Sequence, residues 1–326
     1  MSNSSPAQEL EKKSIITAID FVPQNMTFSE IADEWYESFT SGREYSEKYL
    51  STIAYRLKHY IKPVIGDIDI ARLRRPVLVR FLNSIAKKGH FPTAKRIAGL
   101  LGQIFSFAQD YGYIESNPGG NLSSCILGKR PEKHFAHLTK PEEIGALLAA
   151  IRRIRSGRER VGLLLAAYCF PRCGEILKAE PKEFDFEKNL WTIPGGHTKS
   201  RREMCIPLAP QVVEFLKPFA ESRKGAKRVF TQTENAMLRT LDDITKASNG
   251  KISKTSIHGF RHTASTILYS KGYNSMWIEL SLAHRDSNSI RAVYNSYDFL
   301  KERRQMLCEF ADYLDELASK AEQNKP

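Results

Sequence analysis

Ten consecutive residues, 161–170 (VGLLLAAYCF), carry no charge. A helix that is apolar all round has to be covered all round. At this length the run reads as a helix buried inside a domain, since a membrane span needs roughly 20 apolar residues. Its exit is unusual: Pro171-Arg172-Cys173-Gly174-Glu175-Ile176-Leu177 puts an arginine at the mouth of a core. A guanidinium there is costly unless something anionic meets it. Glu175, three residues on, is near enough to orient Arg172.

At 326 residues the chain is long enough for two domains of ordinary size. Residues 1–26 are polar apart from Ile15–Val22 and read as a flexible lead-in. Thr27 and Glu30 have the spacing of a capping box, and Phe28, Ile31, Trp35 and Phe39 follow helical periodicity. The charge then changes sign. Residues 1–42 hold seven acids and two bases, whereas residues 43–100 hold thirteen bases and four acids. In the basic stretch Tyr45, Tyr49, Ile53 and Leu57 predict one helix, and Val77, Val79, Phe81, Leu82 and Ile85 a second. A third, starting near Thr93 and reaching Tyr111, turns Ile97, Leu100, Leu101, Ile104, Phe105 and Ala108 inward. Arg56, Lys58, Arg72, Arg74, Arg75, Lys95 and Arg96 would then form a basic face. Such residues meet backbone phosphates and place a protein on DNA without reading sequence. A merely solvated face is the alternative.

Asn117-Pro118-Gly119-Gly120 ends the third helix, and a stretch rich in Gly, Pro, Lys and Ser follows as a hinge. The expected division is a lead-in at 1–26, a helical domain at 27–122, a linker at 123–138, a second domain at 139–318 and a tail at 319–326. The second domain opens on a capping box at Thr139 and Glu142, with Ile144, Leu147, Leu148 and Ile151 inward. After Arg172 the period shifts to two. Phe184, Phe186, Leu190, Trp191 and Ile193 read as a strand pair turning at Lys188-Asn189, and Met204, Ile206 and Leu208 as a further strand. Between these strands hangs GGHTKSRR, a basic tip carrying His197, Lys199, Arg201 and Arg202. The fold class expected is mainly α with a small antiparallel β-sheet.

Lys and Arg outnumber Asp and Glu by 49 to 37, a net charge of +12. That surplus favours a polyanion, most commonly nucleic acid. Cys125, Cys169, Cys173, Cys205 and Cys308 show no CxxC pair and no zinc-ligand spacing, so they read as reduced thiols. No apolar run approaches a membrane span, and the N-terminus lacks a signal-peptide core. The expectation is a cytoplasmic, nucleoid-associated protein without metal or cofactor.

The remaining chemistry gathers between Thr255 and Tyr294. His258 and Arg261 share one face if the segment is helical. His284 follows, and ten residues later Tyr294. With Arg172 and Lys199, two imidazoles, two guanidiniums, an amine and a phenol can grip a phosphate and attack it. Each also has an ordinary reading. Arg172 pairs with Glu175, Lys199 joins the DNA-holding residues Arg201 and Arg202, His284 caps a helix, and Tyr297 rivals Tyr294.

Taken in order, the six positions resemble the tyrosine recombinase, or phage integrase, family. The motifs are FPRCGEIL around Arg172, HTKSRR around Lys199, SIHGFRHT around His258 and Arg261, LAHRD at His284 and AVYNSYDFLKERRQM at Tyr294. The last is similar to the satellite-phage P4 type. The resemblance is strong over 139–318. It is weaker over 27–122, which is similar to the helical core-binding domain that precedes the α+β catalytic domain in such enzymes. Pro171 and Ala283 stand where the family commonly has glycine.

The resemblance implies a site-specific recombinase that cuts and rejoins DNA without metal or ATP. Arg172 and Arg261 would fork the phosphate oxygens bidentately, with a further hydrogen bond from His284. Tyr294 would attack, His258 would manage its proton, and Lys199 would protonate the leaving 5′ oxygen. The implied partners are double-stranded recombination sites, other copies of the chain in a tetramer on DNA, and an accessory DNA-bending protein. A type IB topoisomerase-like enzyme and a non-catalytic DNA-binding relative are the rival readings. Beyond the tyrosine, Leu300, Leu307, Phe310, Leu314 and Leu317 form the stripe of an amphipathic helix, which packs on its own domain or docks on a neighbour. P4-like integrases usually carry an arm-binding domain as well, for which the residues before Thr27 are too few.

Overall fold

A computed structural model describes residues 25–41, 45–128, 136–283 and 298–323. The chain forms two compact units, Met1–Glu132 and Lys133–Pro326. Helix α1 (Phe28–Thr40), the first helix among the described residues, starts on a complete capping box. The Thr27 side chain accepts from the Glu30 amide, and the Glu30 carboxylate accepts from the Thr27 amide. Helix α2 (Glu47–Arg56) runs on through a π turn, Leu57–Ile61, into Lys62–Ile65. Helices α3 (Arg75–Ile85) and α4 (Phe91–Asp110) are the other long elements among the unit's described residues. Ile97, Leu100, Leu101, Ile104, Phe105 and Ala108 are all buried on α4, as their spacing predicts. On α3 the buried positions are Leu78, Phe81, Leu82 and Ile85, whereas Val77 is exposed. The i, i+3, i+4 steps from Leu82 lead back to Leu78 and rotate Val77 toward solvent.

The second unit is built around α6 (Gly157–Cys169), and every residue from 161 to 170 is buried. Helices α5 (Pro141–Arg152), α7 (Cys173–Lys178), α8 (Pro210–Glu221), α9 (Glu234–Ala247), α10 (Ile257–Ser270) and α12 (Leu300–Gln323) all pack on it. The short helix α11 (Ser275–Ser281) lies against α10 and α12. Helix α5 departs from expectation at its start: Lys140 is its N-cap and no side chain caps it, so Thr139 lies one residue outside. Pro141 holds the first helical position, where its missing N–H is no loss. Glu143, not Glu142, is engaged, accepting from the Ser253 amide at 3.0 Å.

Among the described residues the sheet has three antiparallel strands, β1 (Phe184–Asp185), β2 (Leu190–Ile193) and β3 (Met204–Pro207), in that order. Trp191 pairs with Phe184 on one side and Ile206 on the other. Asn189, in the left-handed region at φ 49°, makes the β1–β2 turn. Asparagine tolerates that conformation better than most residues. Helix α12 lays Met306, Leu307, Phe310, Ala311, Leu314, Leu317 and Ala318 into its own unit. It approaches α5 so closely that a Cβ on Gly145 would lie 2.2 Å from the Leu317 carbonyl oxygen. Arg152 braces the pair, donating to Asp315 Oδ1 at 2.5 Å and to the Tyr168 hydroxyl at 2.8 Å. The apolar stripe on the last helix is therefore covered by its own unit from Leu307 to Leu317, while Leu300 at its start is half-buried. Among the described residues no helix is long and apolar enough to cross a membrane.

Candidate active site

At the end of α6 the chain turns through Phe170, in the left-handed region at φ 41°. That turn stops the helix and starts α7 two residues later with Arg172 at its N-cap. Glu175 is buried in the first turn of α7. Its carboxylate accepts from the Arg172 amide at 2.7 Å and from Arg172 Nη1 at 3.1 Å. Arg172 Nη2 reaches the Ala283 carbonyl at 3.1 Å.

Arg261 projects from α10 into the same place. It is 3% exposed and donates to the carbonyls of Phe170 and Leu282. The two guanidiniums thus share two walls, the 170–172 turn and the 282–283 turn. Burial, and next the positive charge of Arg172, push the Arg261 guanidinium down to about 10. Glu175 and Glu279 oppose that shift without cancelling it. Arginine remains charged at neutral pH regardless, so the pair is a concentrated positive site that a phosphate would relieve.

Helix α10 starts at Ser256, whose hydroxyl accepts from the Gly259 amide at 3.0 Å. Its first turn carries His258, exposed, while Arg261 one turn on is buried. The segment before α5 crosses this helix tightly, and a Cβ on Gly259 would lie 2.2 Å from the Ala136 carbonyl oxygen. Leu138 and Thr263 fasten the crossing through two hydrogen bonds. That brings in two histidines that sequence reasoning passed over. The His262 ring is edge-on to His258 at 5.2 Å and lies tilted against His137 at 5.5 Å. The i, i+4 spacing of His258 and His262 was the available signal; His137 gave none.

Lys199 is exposed in the connection between β2 and β3, residues 194–203. Thr198 closes that loop by donating to the Arg202 carbonyl at 2.7 Å. His197 Nδ1 lies 2.8 Å from Glu183 Oε1, and the other oxygen of that buried carboxylate accepts from Trp191 Nε1 at 2.9 Å. His197 is half-buried beside that carboxylate, while Lys199, Arg201 and Arg202 face solvent. His284 and Tyr294, and the rival Tyr297, lie outside the described residues. The residues leading to His284 are described, and the carbonyls of Leu282 and Ala283 are the ones the two arginines hold.

Backbone strain collects around these positions. Among the described residues, eight that are not glycine have φ in the left-handed region. Four are asparagines, and the others are Phe170, Arg201, Ala283 and Phe299. These four sit two residues before Arg172, two after Lys199, one before His284 and five after Tyr294. Such outliers persist where surrounding contacts over-determine them, and functional sites are where they cluster. The left-handed turn at Ala283 also suits the glycine that the family commonly has there.

Cysteine does not compete as a nucleophile next to Arg172. Burial pushes the Cys173 thiol up to about 12, so it stays protonated at neutral pH. Among the described residues no group of three His, Cys, Asp or Glu side chains could hold a metal ion. In the first unit Arg56 is partly buried, and burial and then the charge of Arg96 lower its proton affinity. Lys58, Arg74, Lys95 and Arg96 are exposed, with the Lys95 ammonium 5.2 Å from the Phe91 ring centre. Arg72 lies 3.8 Å from Asp69. Arg75 differs from the rest of the basic face: its guanidinium donates to the carbonyls of Pro118 and Gly120 and to Cys125 Sγ.

The sequence pattern of the phage integrase family matches residues 137–300, and that of the phage integrase central domain matches residues 28–124. The chain belongs to the phage integrase family. It is a tyrosine site-specific recombinase, and all six candidate positions fall within the larger match. Prophage integrase IntA of Escherichia coli K12 is 28% identical over 298 residues, covering 88% of this chain and 69% of that one. The integrase of Enterobacteria phage P4 is 29% identical over 322 residues, covering 89% and 69%. The fold is that of lambda integrase, solved as a tetramer bound to a Holliday junction. It superposes with a TM-score of 0.63 at 17% identity, covering 88% of this chain and 83% of that one.

Proposed function

We propose that this recombinase cuts and rejoins double-stranded DNA through a covalent link to Tyr294. The observation that supports this best is the doubled guanidinium site of Arg172 and Arg261. A phosphodiester carries one negative charge, and more gathers on its nonbridging oxygens as a nucleophile adds. Two forks, one held by main-chain carbonyls and the other by a carbonyl and the Glu175 carboxylate, are set in advance for that charge, which is where electrostatic catalysis is strongest. His284 adds a hydrogen bond to the same phosphate. The Tyr294 phenol has an ordinary pKa near 10 and needs a base, a role that falls to His258, the exposed residue in the first turn of α10. The Tyr294 oxygen forms a bond to phosphorus as the bond to the 5′ oxygen breaks. Lys199, at its solvent-facing loop tip, supplies the proton that the leaving oxygen takes up. The product is a 3′-phosphotyrosine and a free 5′ hydroxyl. The link conserves the bond, so a second 5′ hydroxyl reverses the step and rejoins the strand. Glu175 orients Arg172.

Arg56, Lys58, Arg72, Arg74, Lys95, Arg96, Arg201 and Arg202 hold DNA backbone, and Arg75 serves there chiefly as a brace. Lambda integrase was captured as a tetramer on a Holliday junction. We carry that assembly to this chain, with integration or excision of a mobile element in the nucleoid as its task and a DNA-bending protein as helper. A suicide substrate nicked beside the cleavage point tests the chemistry. Wild-type protein is expected to form a denaturation-resistant protein–DNA adduct and Tyr294→Phe none. An adduct with Tyr294→Phe would overturn the assignment.

A further inference from the structure

Arg303, in the first turn of α12, is a buried cation with an unusual set of partners. It is 3% exposed. Nε donates to Ser281 Oγ at 3.0 Å, Nη1 to the Asp298 carbonyl at 3.4 Å and Nη2 to the Cys205 carbonyl at 2.7 Å. One planar fork therefore joins three separate stretches of chain. Ser281, itself buried, ends α11 three residues before His284. Asp298 follows Tyr294 by four residues. Cys205 belongs to β3, the strand that closes the Lys199 loop.

Burying a guanidinium is a poor route to stability, because a well-packed apolar side chain of similar size does as well or better. What a guanidinium does that methionine or lysine cannot is hold several acceptors at fixed angles. The two ends it joins are also the strained ones, with left-handed residues at Ala283 and Phe299 just inside Ser281 and just beyond Asp298. Its neighbour Arg304 adds a second tie to the sheet, donating to the Lys188 and Asn189 carbonyls, both at 3.0 Å.

We propose that Arg303 is a positioning residue for strand cleavage. It fixes the spacing between Ser281 and Asp298, the two ends of the stretch that contains His284 and Tyr294, and anchors both ends to β3. This rests on the assignment of Tyr294 made above. The test uses the full chain with Arg303→Lys and Ser281→Ala. Adduct formation is followed in single turnover on the nicked substrate at increasing protein concentration, so that the limiting rate and the half-saturating concentration are read separately.

A misplacement near 1 Å at a reacting group slows reaction by about a hundredfold. Arg303→Lys is expected to lower the limiting rate by up to that factor with the half-saturating concentration unchanged, and Ser281→Ala to lower it less. The proposal is overturned if both variants react at the wild-type limiting rate. It is also overturned if the losses appear in the half-saturating concentration and thermal midpoint instead, as for a merely structural residue. Should Arg303→Lys fail to fold, Ser281→Ala alone decides by the same criterion. An adduct formed by Tyr294→Phe would show that the nucleophile is misassigned. A normal Arg303→Lys rate beside an inert Tyr294→Phe would refute this inference alone.

Discussion

Replacing alanine by glycine should have opposite consequences at two places in the second unit. Ala283 is half-buried with φ 47°. An L residue in the left-handed region costs roughly 1–2 kcal/mol, which glycine avoids. Against this, glycine's added freedom in the unfolded chain costs about 0.4–1 kcal/mol. Removing a half-buried methyl costs about 0.4 kcal/mol, half the figure for a fully buried one. At the middle of these ranges Ala283→Gly is thus expected to stabilise by about 0.4 kcal/mol. Ala264 lies in the interior of α10 and is 0% exposed. There the helix penalty of about 1 kcal/mol adds to about 0.8 kcal/mol for the lost methyl. The two variants should differ by about 2 kcal/mol, or roughly 4–8 °C in the transition of a unit this size. Differential scanning calorimetry of the purified full chain reads this directly. If Ala283→Gly falls as far as Ala264→Gly, the left-handed turn before His284 is not strained, and the claim that strain gathers around the site loses its main support.

Arg172→Lys keeps the charge but loses the fork; adduct formation should slow by about 10²–10³-fold with little change in DNA affinity, and a change confined to affinity would contradict the assigned role. Gly145→Ala drives a methyl into the Leu317 carbonyl, so α12 must move; urea unfolding should show a loss of about 1–3 kcal/mol. Arg96→Ala removes one contact to backbone phosphate if the basic face meets DNA, and the slope of log affinity against log salt should shrink by about 0.9.

The long elements were legible because a single period runs through each. Ile97 to Ala108 on α4 and the uninterrupted apolar run on α6 announce helices through burial alone. The strand pair was readable from the alternation around Trp191 and the asparagine at its turn. Local start signals were less secure. Thr139 and Glu142 have the right spacing for a cap, but Pro141 takes the first helical position and shifts the start by one residue. Val77 looked inward because apolar residues crowd that segment, and only the phase set by Leu82 tells it from Leu78. The site divides in the same way. Arg172, His258 and Arg261 stand in motifs, so their residue types are visible in the sequence. His137 lies in none, and Arg303, although it falls within AVYNSYDFLKERRQM, is not singled out there, because what distinguishes both is contact with residues distant in the chain. Arg75 looked like its basic neighbours, and only the fold brings the 118–125 turn within its reach.

The seating of α12 on α5 bears on how shortened forms of this protein would behave. Phe310 and Leu314 are part of the same apolar interior that surrounds Phe170 and Leu148, and Phe310 meets the Phe170 ring edge-on at 5.8 Å. A chain cut before Leu300 would not simply be a tailless enzyme. It would expose the seat of its last helix, lose the neighbour that packs on the turn into Arg172, and be prone to aggregate.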